Sequence, residues 1–215
     1  MGSVDELRLL RPVAEHSKVV CLLSNWRSKD GRDGPGFFIK PPTTLIGPGE
    51  PIVYPDLGSR VVYEPEIAIV MGQRCRSVSP AQARAQVFGY TCFNDVTAFE
   101  MKEATNFAFL AGKSFDTFGA MGPWIETDID PDDVSLSASV SGRVTTNTHT
   151  SQMLWSTDDI VSWISRFMTL VPGDVISCGA PPEYDAITPG DNVEITIEGI
   201  GTLANRVVAC SDDMA

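Results

Sequence analysis

The sequence predicts a single α+β domain, rich in β-strand with a few helices. Three observations carry that expectation. Short runs of β-branched and aromatic residues recur along the chain, each bounded by Gly, Pro, Asn or Asp. Only residues 158–170 sustain a long helical stripe, formed by Ile160, Val161, Ile164, Phe167 and Met168. No repeat, low-complexity tract or linker divides the 215 residues, a length that suits one large domain.

The elements follow in chain order. KVVCLL (18–23) is an apolar strand, and the polar, glycine-rich SNWRSKDGRDGPG (24–36) has no periodicity and is expected to be a loop. FFIK (37–40) is a strand stopped by Pro41 and Pro42, and Gly47-Pro48-Gly49 marks a turn before a strand at 51–54. VVYEPEIAIVMG (61–72) reads as one continuous strand. Ser79 as N-cap and Pro80 at the first helical position open a helix through about residue 87. A strand at 89–94, a short polar helix at 98–106 and strands at 123–127 and 136–144 come next. After the 158–170 helix there is a strand at 175–178. A final hairpin pairs 192–197 with 201–209, and its Glu198-Gly199 dipeptide fits the turn.

Composition narrows the function. A net charge of −12, with no Lys/Arg cluster, argues against nucleic-acid and anionic-membrane partners. No run of ~18 apolar residues predicts a membrane span, and the first residues lack the basic-then-apolar pattern of a secretory signal. Five scattered cysteines, an odd number with no CxxC, predict reduced and mostly buried thiols in a cytoplasmic protein. Two histidines are too few for a histidine-rich metal site. A metal here would need oxygen ligands, which points to a hard cation such as Mg²⁺ or Mn²⁺.

Two carboxylates interrupt the apolar run VVYEPEIAIVMG. Side chains alternate along an extended chain, so Glu64 and Glu66 leave one face roughly 6–7 Å apart. Like charges that close call for a cation, a proton or water between them. Pro65 favours the plainer alternative, a solvent-facing edge strand. Downstream, GYTCFNDVTAFE (89–100) places Asp95 at a strand end, where it either caps the next helix or reaches a cleft. Three such carboxylates would supply half of an octahedral oxygen site. In AGKSFDTFGAMGPW (111–124), Lys113 sits among small and aromatic residues. It either snorkels over Phe115 or, partly desolvated, steadies an anion beside the acidic group.

Four stretches together resemble the fumarylacetoacetate hydrolase family, in its short acylpyruvase, oxaloacetate decarboxylase and hydroxyheptadienedioate isomerase branch. They are FFIKPPTTLIGPGEPIVYP (37–55), VVYEPEIAIVMG, GYTCFNDVTAFE and GKSFDTFGAMGPWIET (112–127). TSQMLWSTDDIVSWIS, LVPGDVISCGAP and PGDNVEITIEGIGTLANRV extend the resemblance in the same order over residues 18–209. It implies an extension at 1–17, one catalytic domain at 18–209 and a tail at 210–215. The implied fold is a mixed β-roll with flanking helices, assembled as a homodimer. By the same resemblance Glu64, Glu66 and Asp95 are metal ligands for Mg²⁺ or Mn²⁺, and Lys113 is the catalytic lysine of GKSFD. Lys40, Phe99, Ser114, Gly179 and Ala180 are implied on the substrate side, and the substrate is a small 2-oxo acid or its enol.

Three departures bear on the reaction. Family hydrolases carry a lid motif close to NYxxHxxE, whereas SNWRSKDGRDG has no histidine and offers only Asp30 and Asp33. NDVTARD becomes NDVTAFE, so Phe99 stands in place of an arginine. TGTP becomes CGAP, so Ala180 stands in place of a threonine. A pocket without those polar partners penalises a buried carboxylate and implies a less charged or differently shaped substrate. Hydrolysis of a C–C bond needs a base to activate water, worth typically ~10²–10⁴ in rate. Decarboxylation and tautomerisation through a metal-stabilised enolate do not. The sequence therefore favours a decarboxylase or isomerase, with an acylpyruvate-type hydrolase as the alternative and a weakened, ligand-binding family member as the third reading.

Overall fold

Two strands separated by only four residues lie on opposite edges of one sheet, and that fact sets the architecture. The computed structural model describes residues 8–14, 17–26, 34–56, 58, 60–104 and 108–210. The strands in chain order are β1 Val19–Leu23, β2 Gly36–Lys40, β3 Leu45–Ile46, β4 Ile52–Tyr54, β5 Val61–Val62, β6 Pro65–Met71, β7 Val87–Asp95 and β8 Thr97–Ala98. They continue as β9 Gly119–Glu126, β10 Ser135–Val140, β11 Arg143–His149, β12 Val175–Ser177, β13 Ala186–Ile187, β14 Asn192–Ile197 and β15 Gly201–Ala209. The helices are α1 Pro80–Ala83, α2 Phe99–Ala104, α3 Ala108–Ala111 and α4 Thr157–Phe167.

The largest sheet has the order β2-β1-β12-β6-β7-β9-β3. A chain extends at most ~3.6 Å per residue, so the short link from Lys40 to Leu45 can join the two edges only if the sheet rolls up. Side-chain alternation confirms the roll. Val19, Cys21, Phe38, Leu45, Ala68, Val70, Phe93, Met121 and Val175 form one small apolar cluster to which all seven strands contribute. The alternate residues, among them Val20, Leu22, Ile67, Ile69 and Ile176, point outward into a larger core. There they meet Leu136, Val193, Ile195 and Leu203 of a second sheet, ordered β11-β10-β14-β15-β4. Ile160, Val161 and Ile164 of α4 join the same core, and a Ser156–Asp159 capping box starts that helix.

Most expected elements are present, with physical reasons for the differences. The run 61–72 is not one strand. It breaks at Tyr63-Glu64, where β5 leaves the large sheet to pair with β8 and β13. The solvent-edge reading of the Glu pair is overturned, because β6 lies between β12 and β7 and Pro65 is merely its first residue. Residues 136–144 also divide: Ser141 and Gly142 both have positive φ and make a tight turn between β10 and β11. The helix opened by Ser79 and Pro80 tightens into a 3₁₀ turn at Arg84–Gln86, so β7 starts at Val87. The long helix stops at Phe167, whose ring is half exposed, and Met168 is already extended. Residues 97–98 are strand rather than helix, and the end of the expected 98–106 helix lies outside the described residues. So do Asp30, Asp33 and most of the segments at 1–17 and 210–215.

Cys21, Cys75, Cys92 and Cys178 are buried, Cys210 is exposed, and all five are free thiols. Among the described residues no helix is long and apolar enough to cross a membrane.

Candidate active site

The β6–β7 ladder does not simply end at Pro65↔Asn94; it resumes as β5–β8, with Val62 opposite Thr97 and Val61 opposite Ala98. The joint between the two ladders is held by the Asp95 amide donating to the Glu64 carbonyl at 3.0 Å and the Glu64 amide donating to Asn94 Oδ1 at 3.1 Å. All three acidic side chains sit at this joint. One carboxylate oxygen each from Glu64, Glu66 and Asp95 lies within 4.8 Å of the others. None is more than 7% exposed.

Each carboxylate has its own support. Glu66 Oε2 accepts from the Gly179 amide at 2.7 Å and from the Ser177 hydroxyl. Asp95 accepts from Lys40 Nζ at 2.5 Å and from Lys113 Nζ at 2.6 Å. Glu64 pairs with the same Lys113 ammonium. Lys113 is neither on the surface nor snorkelling: it is 2% exposed, with its ammonium 5.4 Å from the centre of the Phe38 ring.

The electrostatics follow from these neighbours. Burial pushes the Glu66 carboxyl well above the ordinary glutamate value, and the charges of Asp95 and Glu64 add to it. Burial would also raise Asp95, but the ammoniums of Lys113 and Lys40 outweigh it and hold Asp95 below the usual range. Lys113 shows the reverse balance: burial alone would lower it, yet Asp95 and Glu64 keep it above an ordinary lysine. Among the described residues two ammoniums thus face three buried carboxyl groups, and Glu66 is the one that pairs with neither. Three convergent hard oxygen donors fit a divalent cation such as Mg²⁺ or Mn²⁺.

A cavity of about 260 Å³ opens beside the group, with Glu64 and Lys113 in its wall. Among the described residues Leu22, Leu23, Ser24, Trp26, Phe99, Ala180, Pro181, Pro182 and Tyr184 also line it. Phe99 and Ala180 line this cavity. Lys40 does not line it; its ammonium is spent on Asp95 and on the Val96 carbonyl. Ser114 does not line it either, because its hydroxyl donates to the Leu110 carbonyl at 2.5 Å. Gly179 contributes its amide to Glu66 rather than a surface to the cavity.

Sequence reasoning missed two residues that hold this arrangement. Asn25 is fully buried, donates to the Cys178 carbonyl at 2.8 Å and accepts from the Trp155 amide at 3.0 Å. Trp26 donates its indole N–H to the Gly179 carbonyl at 2.7 Å. Together they hold the two peptides on either side of Gly179, the first of which supplies the amide that supports Glu66. The only cue in the sequence was an Asn-Trp pair just after a strand, and no local rule connects it with residues 178–179.

The geometry can be compared with known proteins. A family model described as fumarylacetoacetate (FAA) hydrolase C-terminal matches residues 13–208. The solved 5-carboxymethyl-2-hydroxymuconate delta-isomerase of Mycobacterium smegmatis superposes with a TM-score of 0.91 at 39% identity, covering 99% of this chain and 87% of that one. The mitochondrial oxaloacetate tautomerase of Rattus norvegicus is 31% identical over 95% of this chain and 70% of its own length. The maleylpyruvate hydrolase of Sphingobium sp. SYK-6, solved with manganese(II) and pyruvate, gives a TM-score of 0.86 at 31% identity, covering 97% of this chain and 76% of that one.

Proposed function

The chain belongs to the fumarylacetoacetate hydrolase family, and from that premise we propose that it is a divalent-metal-dependent isomerase (tautomerase) or decarboxylase of 2-oxo acids. The observation that carries this reading is the convergence of Glu64, Glu66 and Asp95 within 4.8 Å beside a cavity that Glu64 and Lys113 line. An isomerase and a tautomerase among the similar proteins support the reaction class.

Glu64, Glu66 and Asp95 would hold Mg²⁺ or Mn²⁺, and the bound cation would supply the charge that draws electrons from the 2-oxo carbonyl. The protein's own groups do the rest. Lys40 fixes one oxygen of Asp95, while Ser177 and the Gly179 amide fix Glu66, so the carboxylates are oriented before any ligand arrives. Lys113, in the cavity wall, would pair with a substrate carboxylate or hand a proton to the carbon next to the carbonyl.

A hydrolase reading has one observation in its favour, the likeness to the maleylpyruvate hydrolase. It needs a base for water, and His149 is the histidine among the described residues. His149 is engaged by Ser151 and lies 3.8 Å from Asp133, and it is not among the residues lining the cavity.

The test combines binding with turnover. Mn²⁺ titration followed by electron paramagnetic resonance should show one bound ion in the wild type, none in Asp95→Ala, and one in Lys113→Ala. Enol–keto exchange and CO₂ release from oxaloacetate should need the metal and be lost in both variants. Undiminished Mn²⁺ binding by Asp95→Ala would sink the proposal, and release of pyruvate from acylpyruvates would move it to the hydrolase.

A further inference from the structure

One residue of the cavity wall stands in a backbone conformation that suits glycine. Ser24, the first residue beyond β1, has φ +63° and lines the cavity together with Glu64 and Lys113. Among the described residues Ser77, Thr117 and Ser141 share a positive φ without being glycine. Thr117 accepts from the Val53 amide and Ser141 donates to Asp191, and none of the three lines this cavity. The Ser24 hydroxyl forms no hydrogen bond with another described residue.

The residues after Ser24 hold it in this conformation. The Asn25 side chain is bonded to the Cys178 carbonyl and the Trp155 amide, and the Asn25 carbonyl accepts from the Leu154 amide at 2.8 Å. The Trp26 indole is bonded to the Gly179 carbonyl. With both neighbours fixed, the chain turns at Ser24, and the left-handed region costs any L-residue what it does not cost glycine. What serine adds over glycine at this point is one hydroxyl.

Register sets Ser24 apart from the acidic group. Cys21 lies opposite Ser177 and Ser177 opposite Ala68, with β12 between β1 and β6. Ser24 leaves β1 at the end of the roll where Glu64 precedes β6, roughly two strand spacings, ~10 Å, away. A 2-oxo-acid head held by Glu64, Glu66 and Asp95 therefore meets Ser24 with its other end. We propose that Ser24 is a specificity residue whose hydroxyl donates to an oxygen on the arm of the ligand remote from that head. The inference rests on the reading of the site as one for 2-oxo acids.

The test applies titration calorimetry to the Mn²⁺-loaded protein with two ligands of one chain length, 2-oxoglutarate and 2-oxopentanoate, which lacks the distal oxygens. Ser24→Ala and Ser24→Gly should each bind 2-oxoglutarate at least about tenfold more weakly than the wild type, with 2-oxopentanoate and Mn²⁺ affinities unchanged. The two variants should part in stability. Ser24→Gly alone relieves the backbone, and its thermal midpoint should rise by ~2 °C. A serine with a purely structural role would weaken both ligands together or neither. Either result would overturn this inference, as would a midpoint that does not rise in Ser24→Gly, while binding of the ligands by the wild type leaves the 2-oxo-acid reading standing. Failure of both ligands to bind the Mn²⁺-loaded wild type would overturn that reading, and this inference with it.

Discussion

Lys40 and Asp95 meet across the inside of the rolled sheet, Nζ to Oδ1 at 2.5 Å, although β2 and β7 lie four strands apart in its order. At ~4.8 Å per strand a flat sheet would hold those strands roughly 19 Å apart. The ion pair is therefore both a product of the roll and a brace for it, and both side chains are essentially without solvent contact.

Lys40→Met should be costly. Removing one partner of a buried pair typically costs about 3–5 kcal/mol, and the lower end applies because Lys113 still answers Asp95. Urea denaturation should show the loss, and added Mn²⁺ should recover part of it.

Gly179→Ala tests the support of Glu66. Gly179 has φ +87°, a conformation that costs an L-residue about 1–2 kcal/mol, and its new Cβ would lie 3.3 Å from Asn25 Cβ. Stability should fall by about that amount, and Mn²⁺ affinity should fall as well, because the amide that orients Glu66 shifts.

Asn25→Ala removes both the donor to the Cys178 carbonyl and the acceptor of the Trp155 amide inside the protein. A buried polar group left unpaired costs about 1–3 kcal/mol. The denaturation midpoint should drop accordingly, and hydrogen exchange at the Trp155 amide should accelerate.

Asp191 gives a pH signature away from the site. The Thr188 amide donates to its carboxylate at 2.8 Å, with further bonds from the Ser141 and Thr188 hydroxyls, and together they hold Asp191 below the ordinary aspartate range. A carboxyl depressed in the folded state stabilises at pH above its unfolded value and loses that contribution as the pH falls through its folded value. Asp191→Asn should therefore be less stable at pH 7, by at most about 1 kcal/mol for so exposed a group. The gap should close on acidification below the aspartate range, as read by thermal unfolding across pH.

What the sequence disclosed of this molecule, and what it hid, follows from the range of the interactions. Glu64, Glu66 and Asp95 stood out because strand alternation and strand ends are local properties. The break at Tyr63-Glu64 was hidden, because a continuous apolar run carries no mark of changing pairing partners. The β10–β11 turn was read through because Ser141-Gly142 sits inside an unbroken apolar–polar pattern. The partners of Lys40 and Asn25 lie 55 and 153 residues away in sequence. No window of sequence contains both ends of either contact, and only the closure of the roll brings them together.

The joint between the two ladders has a consequence for how such a catalyst can be altered. The acidic trio hangs from main-chain pairing at the centre of the molecule, whereas Trp26, Phe99, Ala180 and Tyr184 belong to loops and a short helix around it. On the proposed reading, gripping and discriminating fall to separate parts. A craftsman could refit the chuck's jaws for a different workpiece without disturbing the spindle that drives it.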